Sequence, residues 1–307
     1  MKKLLLIIAA LGISLTAQAA AIPEPQVVRI TPRIYALLGP VGLPSPHNQG
    51  YMVNTTVIVG ERGVILIDSG SSDEVGSHLA KAIAKITPKP VTHIINTHHH
   101  GDHHLGNSAF KNARVLSSEE CRKLVEKTGA EWVALMENLV GHKLPNTRPV
   151  PADVTVPGDS RTESSLQDVK LLLWAPKGSH TPGDLMVWLP DDKVLIGGDI
   201  LVNGLVPNLR DANLKNWITA LRQVEELAPA TVVPGHGPLM NKADVAKLHK
   251  MLVGFYAGVE GGYKKGLNDS EIRPTLDLSE WQKLKEYDAA MGANINRAYL
   301  EIEAENF

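Results

Sequence analysis

Short apolar runs rich in β-branched residues, which predict strands, alternate along the chain with longer segments of helical spacing. The runs 54–59 and 64–68 are separated by the glycine-flanked segment 60–63, a pattern typical of a β-hairpin. Further short apolar runs that predict buried strands lie at 91–96, 171–174, 194–196 and 231–233. The pattern therefore predicts an α/β protein.

A strand–helix–strand unit is predicted directly after the hairpin. Apolar residues within 72–86 recur at the spacing of one helix face, and Ser72 or Asp73 can cap the helix start. The strand run 91–96 follows almost at once, which completes a βαβ unit. The residues after 96 should therefore lie on a loop at the end of a strand.

The segment 105–165 is interpreted as an insertion near that loop. Within it, 117–140 predicts one or two amphipathic helices and 144–157 is rich in proline. Long connections of this kind have two uses, so the insertion either shapes a substrate site or is only structural.

No strand is predicted after residue 240. The segment 214–227 has a clear helical period, and 243–263 and 278–302 are also predicted to be helical. We therefore divide the chain into an N-terminal leader over 1–19, a main α/β domain over 20–240 and a C-terminal helical extension over 241–307.

The leader has the pattern of a cleavable signal peptide. The basic start Met1-Lys2-Lys3 precedes an apolar stretch over 4–15, and Ala17-Gln18-Ala19 supplies small residues for cleavage before Ala20. The stretch is short for a membrane span, although an uncleaved anchor is the alternative. We expect a periplasmic or secreted protein with no stable membrane anchoring after cleavage.

Charge and cysteine content narrow the function classes. The chain has 31 basic and 33 acidic residues, and loss of Lys2 and Lys3 leaves 29 against 33, a net charge of −4. This balance offers no electrostatic footprint for nucleic acid. Cys121 is the single cysteine, so no intramolecular disulfide forms, and burial is expected rather than a reactive thiol. The oligomeric state is left open.

Histidines concentrate in one short stretch after the 91–96 run. Six of the twelve histidines fall between His93 and His104, and His98, His100, Asp102 and His103 form an HxHxDH pattern. Imidazole nitrogens and a carboxylate oxygen form a ligand set that Zn²⁺ accepts. The alternative is an adventitious histidine-rich loop that binds no metal.

Matching residues recur downstream, each after a short apolar run. His180 lies in Gly178-Ser179-His180-Thr181-Pro182-Gly183-Asp184, Asp199 follows two glycines, and His236 lies in Pro234-Gly235-His236-Gly237. Loops at strand ends are where rigid α/β scaffolds carry their chemistry. We therefore expect these residues to converge on the histidine cluster.

These motifs, and their order along the chain, resemble those of the metallo-β-lactamase superfamily. The resemblance covers most of the chain, from about Val27 to Met240. The resemblance implies a four-layer αβ/βα sandwich, and the site looks more like that of glyoxalase II than of true β-lactamases, which carry cysteine or serine where Asp199 stands. The layout is also similar to a periplasmic branch of quinoprotein-relay metallohydrolases.

The resemblance further implies a dinuclear site with two Zn²⁺ ions, iron or manganese remaining open. The implied ligands are His98, His100 and His180 for the first ion, Asp102, His103 and His236 for the second, and Asp199 as the bridge. Asp199 would orient a bridging hydroxide, and Asp102 would accept its proton. Asp68 is expected to orient a ligand histidine, with an ordinary turn as the alternative.

The expected activity is metal-dependent hydrolysis of a small-molecule substrate such as a thioester, a lactone or another acyl compound. Hydrolysis of β-lactams is the second hypothesis, supported by export and weakened by Asp199. A catalytically silent zinc-binding partner protein is the third.

Overall fold

The structure is a computed structural model that describes residues 20–306. The predicted signal peptide over 1–19 lies outside the described residues. Among the helices of residues 20–306, none is both long enough and apolar enough to cross a membrane.

Seven strands form the first sheet in sequence order. They are β1 (Gln26–Arg29), β2 (Ile34–Leu38), β3 (Thr55–Val59), β4 (Val64–Ile67), β5 (Val91–Ile95), β6 (Arg114–Ser118) and β7 (Val154–Val156). The pairs from β1 to β4 are antiparallel, which confirms the predicted hairpin. From β4 onward the pairs are parallel.

Five strands form the second sheet, in the order β12-β11-β10-β9-β8. They are β8 (Ser160–Leu166), β9 (Val169–Ala175), β10 (Met186–Leu189), β11 (Val194–Val202) and β12 (Thr231–His236). Only the β11–β12 pair is parallel. The predicted strand at 194–196 was too short, because β11 continues through Asp199 to Val202.

Seven α-helices connect and flank the strands within residues 20–306. They are α1 (Asp73–Ile86), α2 (Gly101–His104), α3 (Glu119–Val140), α4 (Leu214–Leu227), α5 (Lys242–Tyr263), α6 (Asp269–Ile272) and α7 (Tyr287–Glu305). Ser72 caps α1 by accepting a hydrogen bond from the backbone N–H of Val75. With α1 between the parallel strands β4 and β5, the predicted βαβ unit is confirmed.

The segment 117–140 forms one helix, α3, one of the two predicted alternatives; it begins at Glu119 because Ser117 and Ser118 belong to β6, and it ends at Gly141 in the left-handed conformation. The segment 278–302 is not helical throughout, because the backbone N–H of Lys285 donates to the Gly204 carbonyl and its carbonyl accepts from Val206. This pairing holds the chain extended, so α7 begins only at Tyr287.

Alternating side chains in β4 show how the layers are built. Val64 and Leu66 pack with α1, whereas Ile65 and Ile67 enter the core between the two sheets. Since successive side chains of a strand point to opposite faces, an entirely apolar strand can lie between two apolar layers.

The face of the second sheet that points away from the first sheet is covered by α4 and α5, and α7 packs on α5. Trp217 of α4 is fully buried in this core, and its indole N–H donates to the carbonyl of Ile200 at 2.8 Å. Leu252 of α5 and Ile295 of α7 belong to the same cluster. The predicted four-layer αβ/βα sandwich is confirmed, and the helices after residue 240 extend its outer layer.

Candidate metal centre

The structure brings the seven predicted ligand residues into one buried pocket at the edge of the two sheets. His98, His100, His180 and Asp199 offer ligand atoms within 4.8 Å of one another, and so do Asp102, His103 and His236. Asp199 links the two groups, because its Oδ1 lies 3.4 Å from the Nε2 atoms of both His103 and His236.

A single short connection carries four of the seven groups. It leaves β5 after Ile95 and turns into α2, with His100 in extended conformation as the residue before the helix. The backbone N–H of His103 donates to the carbonyl of His100 at 3.0 Å, which closes the turn. His98 and His100 therefore precede the helix, while Asp102 and His103 project from it.

His180 is positioned by the loop between β9 and β10. Asp184 folds this loop, because its carboxylate accepts hydrogen bonds from the backbone N–H groups of Ser179 and Thr181 and from the Thr181 hydroxyl. Burial raises the pKa of Asp184 to about 6, against these hydrogen bonds. The role of Asp184 is thus to hold the backbone on both sides of His180.

Two glycines make room for Asp199. Gly198 has a φ of +52°, and a Cβ there would lie 2.6 Å from the Cβ of Thr97. A Cβ on Gly235 would lie 1.9 Å from the Oδ1 of Asp199. Because both contacts are far below van der Waals distance, the glycines flanking these ligands are required by packing.

Four histidines direct Nε2 into the pocket while Nδ1 contacts a fixed oxygen outside it. These oxygens belong to Asp68 for His103 (2.8 Å), to the carbonyls of Asn208 for His180 (3.0 Å) and Met52 for His236 (3.1 Å), and to the Thr97 hydroxyl for His98 (3.0 Å). Carboxylate and carbonyl oxygens on the outer nitrogen orient histidine ligands in metal sites. Asp68 thus contacts a predicted ligand histidine, which is the arrangement that its predicted orienting role requires.

His100 has the opposite orientation. Its Nδ1 lies 3.1 Å from the Nε2 of His180, and its Nε2 lies 2.9 Å from the Oδ2 of Asp211. The hydrogen bond to His100 lowers the pKa of Asp211. Sequence reasoning missed Asp211 because it lies in the loop before α4, outside every recognised motif.

Burial favours neutral imidazoles on one side of the pocket. Burial and the neighbouring histidines lower the pKa of His98 well below its usual range. Burial and then His100 lower the pKa of His180 to about 3. A neutral imidazole is the form that binds a metal ion, so this side is ready for ligation at neutral pH.

The other side of the pocket stabilises positive charge. Burial opposes protonation of His236, but Asp199 and Asp102 raise its pKa to about 10. Although burial acts in the other direction, the histidines hold the pKa values of both aspartates well below their usual range. Two buried, ionised carboxylates thus lie where a metal cation can bind and take over the role of the histidine protons.

Ligand spacing agrees with a metal site. Metal–ligand bonds of about 2.0–2.1 Å at tetrahedral angles place neighbouring ligand atoms about 3.3 Å apart. The Nε2 atoms of His103 and His236 are 3.3 Å apart, and each lies 3.2–3.3 Å from the Oδ2 of Asp102. The buried His98 Nε2 and Asp199 Oδ1 have no hydrogen-bond partner among residues 20–306. The residues present therefore fit bound metal ions.

Three further residues, His99, His104 and Cys121, are not among the seven predicted ligand residues. Burial lowers the pKa of His99 to about 4 and that of His104 to about 3, so both are neutral and enclosed. Cys121 is buried as expected, and burial raises the pKa of its thiol to about 12.

Comparison with known proteins shows the family. The model of the metallo-β-lactamase superfamily matches residues 48–236. A metallo-β-lactamase type 2 from Bacillus sp. (strain 170) is 27% identical over 206 residues, covering 64% of this chain and 69% of that protein. A linear primary-alkylsulfatase from Pseudomonas sp. is 24% identical over 231 residues, and the match covers 64% of this chain but only 43% of that enzyme.

Solved structures agree on the fold. A metallo-β-lactamase from Pontibacter korlensis superposes with a TM-score of 0.60 at 23% identity, over 75% of this chain and 99% of that one. One from Hirschia baltica gives 0.60 at 18% identity, over 75% and 98%. The chain belongs to the metallo-β-lactamase superfamily and is a metal-dependent hydrolase with His/Asp clusters that can hold metal ions.

Proposed function

We propose that this chain is an exported dinuclear zinc hydrolase that cleaves a small thioester, lactone or other acyl substrate. The arrangement of Asp199 carries the proposal. Its Oδ1 faces His103 and His236, and its Oδ2 lies 3.6 Å from the Nε2 of His180 on the other side. One carboxylate thus contacts both groups of ligands, as a bridge between two ions requires.

The reaction follows from this donor set. The two groups of His and Asp residues would hold two divalent ions, which when bound would lower the pKa of a water to near neutrality and polarise the substrate carbonyl. Asp199 fixes the separation of the two ligand groups and orients the attacking water. We assign Asp102 the role of accepting the proton of that water, because its carboxylate lies among the same groups, with Oδ2 3.2 Å from the Nε2 of His236.

Metal analysis and turnover assays test the proposal. The purified, zinc-loaded protein should contain close to two equivalents of zinc and hydrolyse at least one of a p-nitrophenyl ester, a thioester and a lactone. His249→Ala is a matched control, because His249 lies on α5 beside Glu225, away from the ligands. A single equivalent of metal with full activity would contradict the dinuclear proposal.

Hydrolysis of β-lactams is the second candidate. It is supported by the names of several relatives, including type 2 metallo-β-lactamases from Bacillus cereus and Elizabethkingia meningoseptica at 27% and 26% identity. A carboxylate at position 199 argues against it. Turnover of a cephalosporin without turnover of acyl compounds would favour this candidate, and two bound metals without any turnover would favour a silent zinc-binding protein.

Export is tested separately. Expressed with its own leader in a Gram-negative host, the protein should appear in the periplasmic fraction with a mass that begins at Ala20. Retention of residues 1–19 in the membrane fraction would indicate an uncleaved anchor instead. We propose no nucleic-acid partner, since the net charge is negative.

A further inference from the structure

A cavity of about 600 Å³ lies directly over the metal centre. Its floor includes His100, Asp102, Asp199 and His236, so a molecule in the cavity reaches the reacting groups. Two helices from different parts of the chain line it with apolar side chains. These are Trp132, Leu135 and Leu139 from α3, and Ala290, Ala293 and Leu300 from α7.

Exposed apolar surface concentrates at this cavity. Six large hydrophobic residues are exposed among residues 20–306, and three of them, Leu43, Leu135 and Leu300, line the cavity. Their exposed fractions are 49%, 36% and 46%. Contiguous exposed apolar surface in a folded domain marks a binding site for apolar groups.

The wall formed by α7 leaves space for a ligand. Ala290 and Ala293 of α7 line the same cavity as the larger side chains of α3, and their small side chains occupy little of it. Lys285 fixes the start of this wall, because its backbone hydrogen bonds join it to the loop that follows Asp199. The C-terminal extension is therefore tied to the ligand loop and forms one side of the cleft.

Charged groups at the cavity are few besides the ligands. Arg297 is engaged, because its Nε and Nη2 both donate to the carbonyl of Ala212. Arg210 and Glu286 are the other charged residues of the lining. Apolar walls of this size with polar groups at one end are typical of sites that bind a mostly apolar small molecule.

We propose that the acyl group of the substrate carries an unbranched aliphatic chain, which lies between α3 and α7 while the scissile carbonyl is at the metal centre. This inference rests on the proposed hydrolase function. Burial of each methylene group should raise kcat/KM by up to about fourfold, until the chain fills the cavity.

A chain-length series tests the inference on the metal-loaded protein. The p-nitrophenyl esters of acetate, hexanoate and decanoate should be hydrolysed with kcat/KM rising about two- to fourfold per methylene. Ala293→Phe fills the space opposite α3 and should lower kcat/KM for decanoate by at least about tenfold, with acetate changed less than about twofold. A flat series in an active enzyme overturns the inference and leaves the proposed function intact.

Gly292→Phe is the matched control. Gly292 adjoins Ala293 on α7, is exposed, does not line the cavity, and has no atom within 4 Å of a Cβ placed there. The same new side chain should leave the chain-length series unchanged. Equal losses in both variants would mean that a phenyl group on α7 perturbs the helix, which would overturn the inference.

Binding gives a readout that does not depend on turnover. A non-hydrolysable alkyl ketone, 2-undecanone, should change the fluorescence of Trp132 and bind at least about tenfold more tightly than 2-butanone. Trp132→Phe should remove the signal, and Ala293→Phe should weaken binding. If no ester of any length is hydrolysed, the proposed function is decided by the thioester and lactone assays. The aliphatic site is then decided by the ketones alone: binding supports it, and absence of binding overturns it.

Discussion

The two halves of the sandwich contribute to the metal centre in different ways. The first sheet supplies His98, His100, Asp102 and His103 from one connection after β5. The second sheet supplies one residue from each of three places: His180 from the β9–β10 loop, Asp199 from within β11 and His236 from the end of β12. The four residues after β5 are close together in the sequence, whereas the three residues from the second sheet come together only when that sheet has formed.

The supporting contacts differ in the same way. On the first half, side chains hold the histidines: Asp68 contacts His103, and Asp211 contacts His100. On the second half, the backbone carbonyls of Asn208 and Met52 hold His180 and His236. A side-chain support can be removed by one substitution, whereas a carbonyl support depends on the path of the chain. Substitutions in the two halves should therefore act differently.

Metal removal should have the largest effect, because both halves lose the cation that joins them. Chelation should abolish hydrolysis. Binding at about a thousand times Kd contributes about 4 kcal/mol, so loss of the ions should lower Tm by about 8–16 °C. Scanning calorimetry with and without chelator measures this. Restoration of activity and Tm by added zinc is the control, and an unchanged Tm would contradict a shared centre.

Asp199→Ala should have the next largest effect, because it removes the one group that contacts both halves. Turnover should fall by more than about a hundredfold, beyond the usual cost of changing a residue that only orients a ligand. Metal content should fall in parallel, measured by elemental analysis. His249→Ala should match the unchanged protein in both measurements. Retained metal and retained turnover in Asp199→Ala would refute the bridging assignment.

Asp68→Asn removes a buried negative charge that contacts His103 and the backbone N–H and hydroxyl of Thr97. We expect metal affinity to fall by about 10–100-fold, with competition against a chromophoric chelator as the measurement. Circular dichroism before and after the change separates weak metal binding from loss of fold. Unchanged affinity in a folded protein would leave Asp68 as an ordinary turn residue.

Asp211→Asn should have the smallest effect of the four. Its side chain is 35% exposed, so water can replace part of the contact with His100. We expect metal affinity to fall by about tenfold or less, the low end for residues that orient ligands. A double variant with Asp68→Asn would show whether the two supports act independently. A larger loss than for Asp68→Asn would reverse the ranking of the two contacts.

Much of the fold was predictable because its signals are local. The hairpin of β3 and β4 follows from two apolar β-branched runs on either side of a glycine-flanked turn, and the helix α1 follows from helical spacing and the cap at Ser72. The helix α4 has the bounds predicted from its apolar period. The start of α7 was not predictable, because Lys285 pairs with a loop far away in the chain.

By itself, the sequence determined the mixed architecture and the histidine-rich loop after β5, and its resemblance to the superfamily singled out the seven residues predicted to hold metal ions. Only the tertiary structure decided which ring nitrogen each histidine presents, that Asp211 stands behind His100, and that α3 and α7 enclose an apolar cleft. The physical reason is the distance along the chain over which each kind of interaction acts. Periodicity and turn chemistry act between near neighbours, whereas nitrogen choice and cleft shape depend on contacts between distant segments.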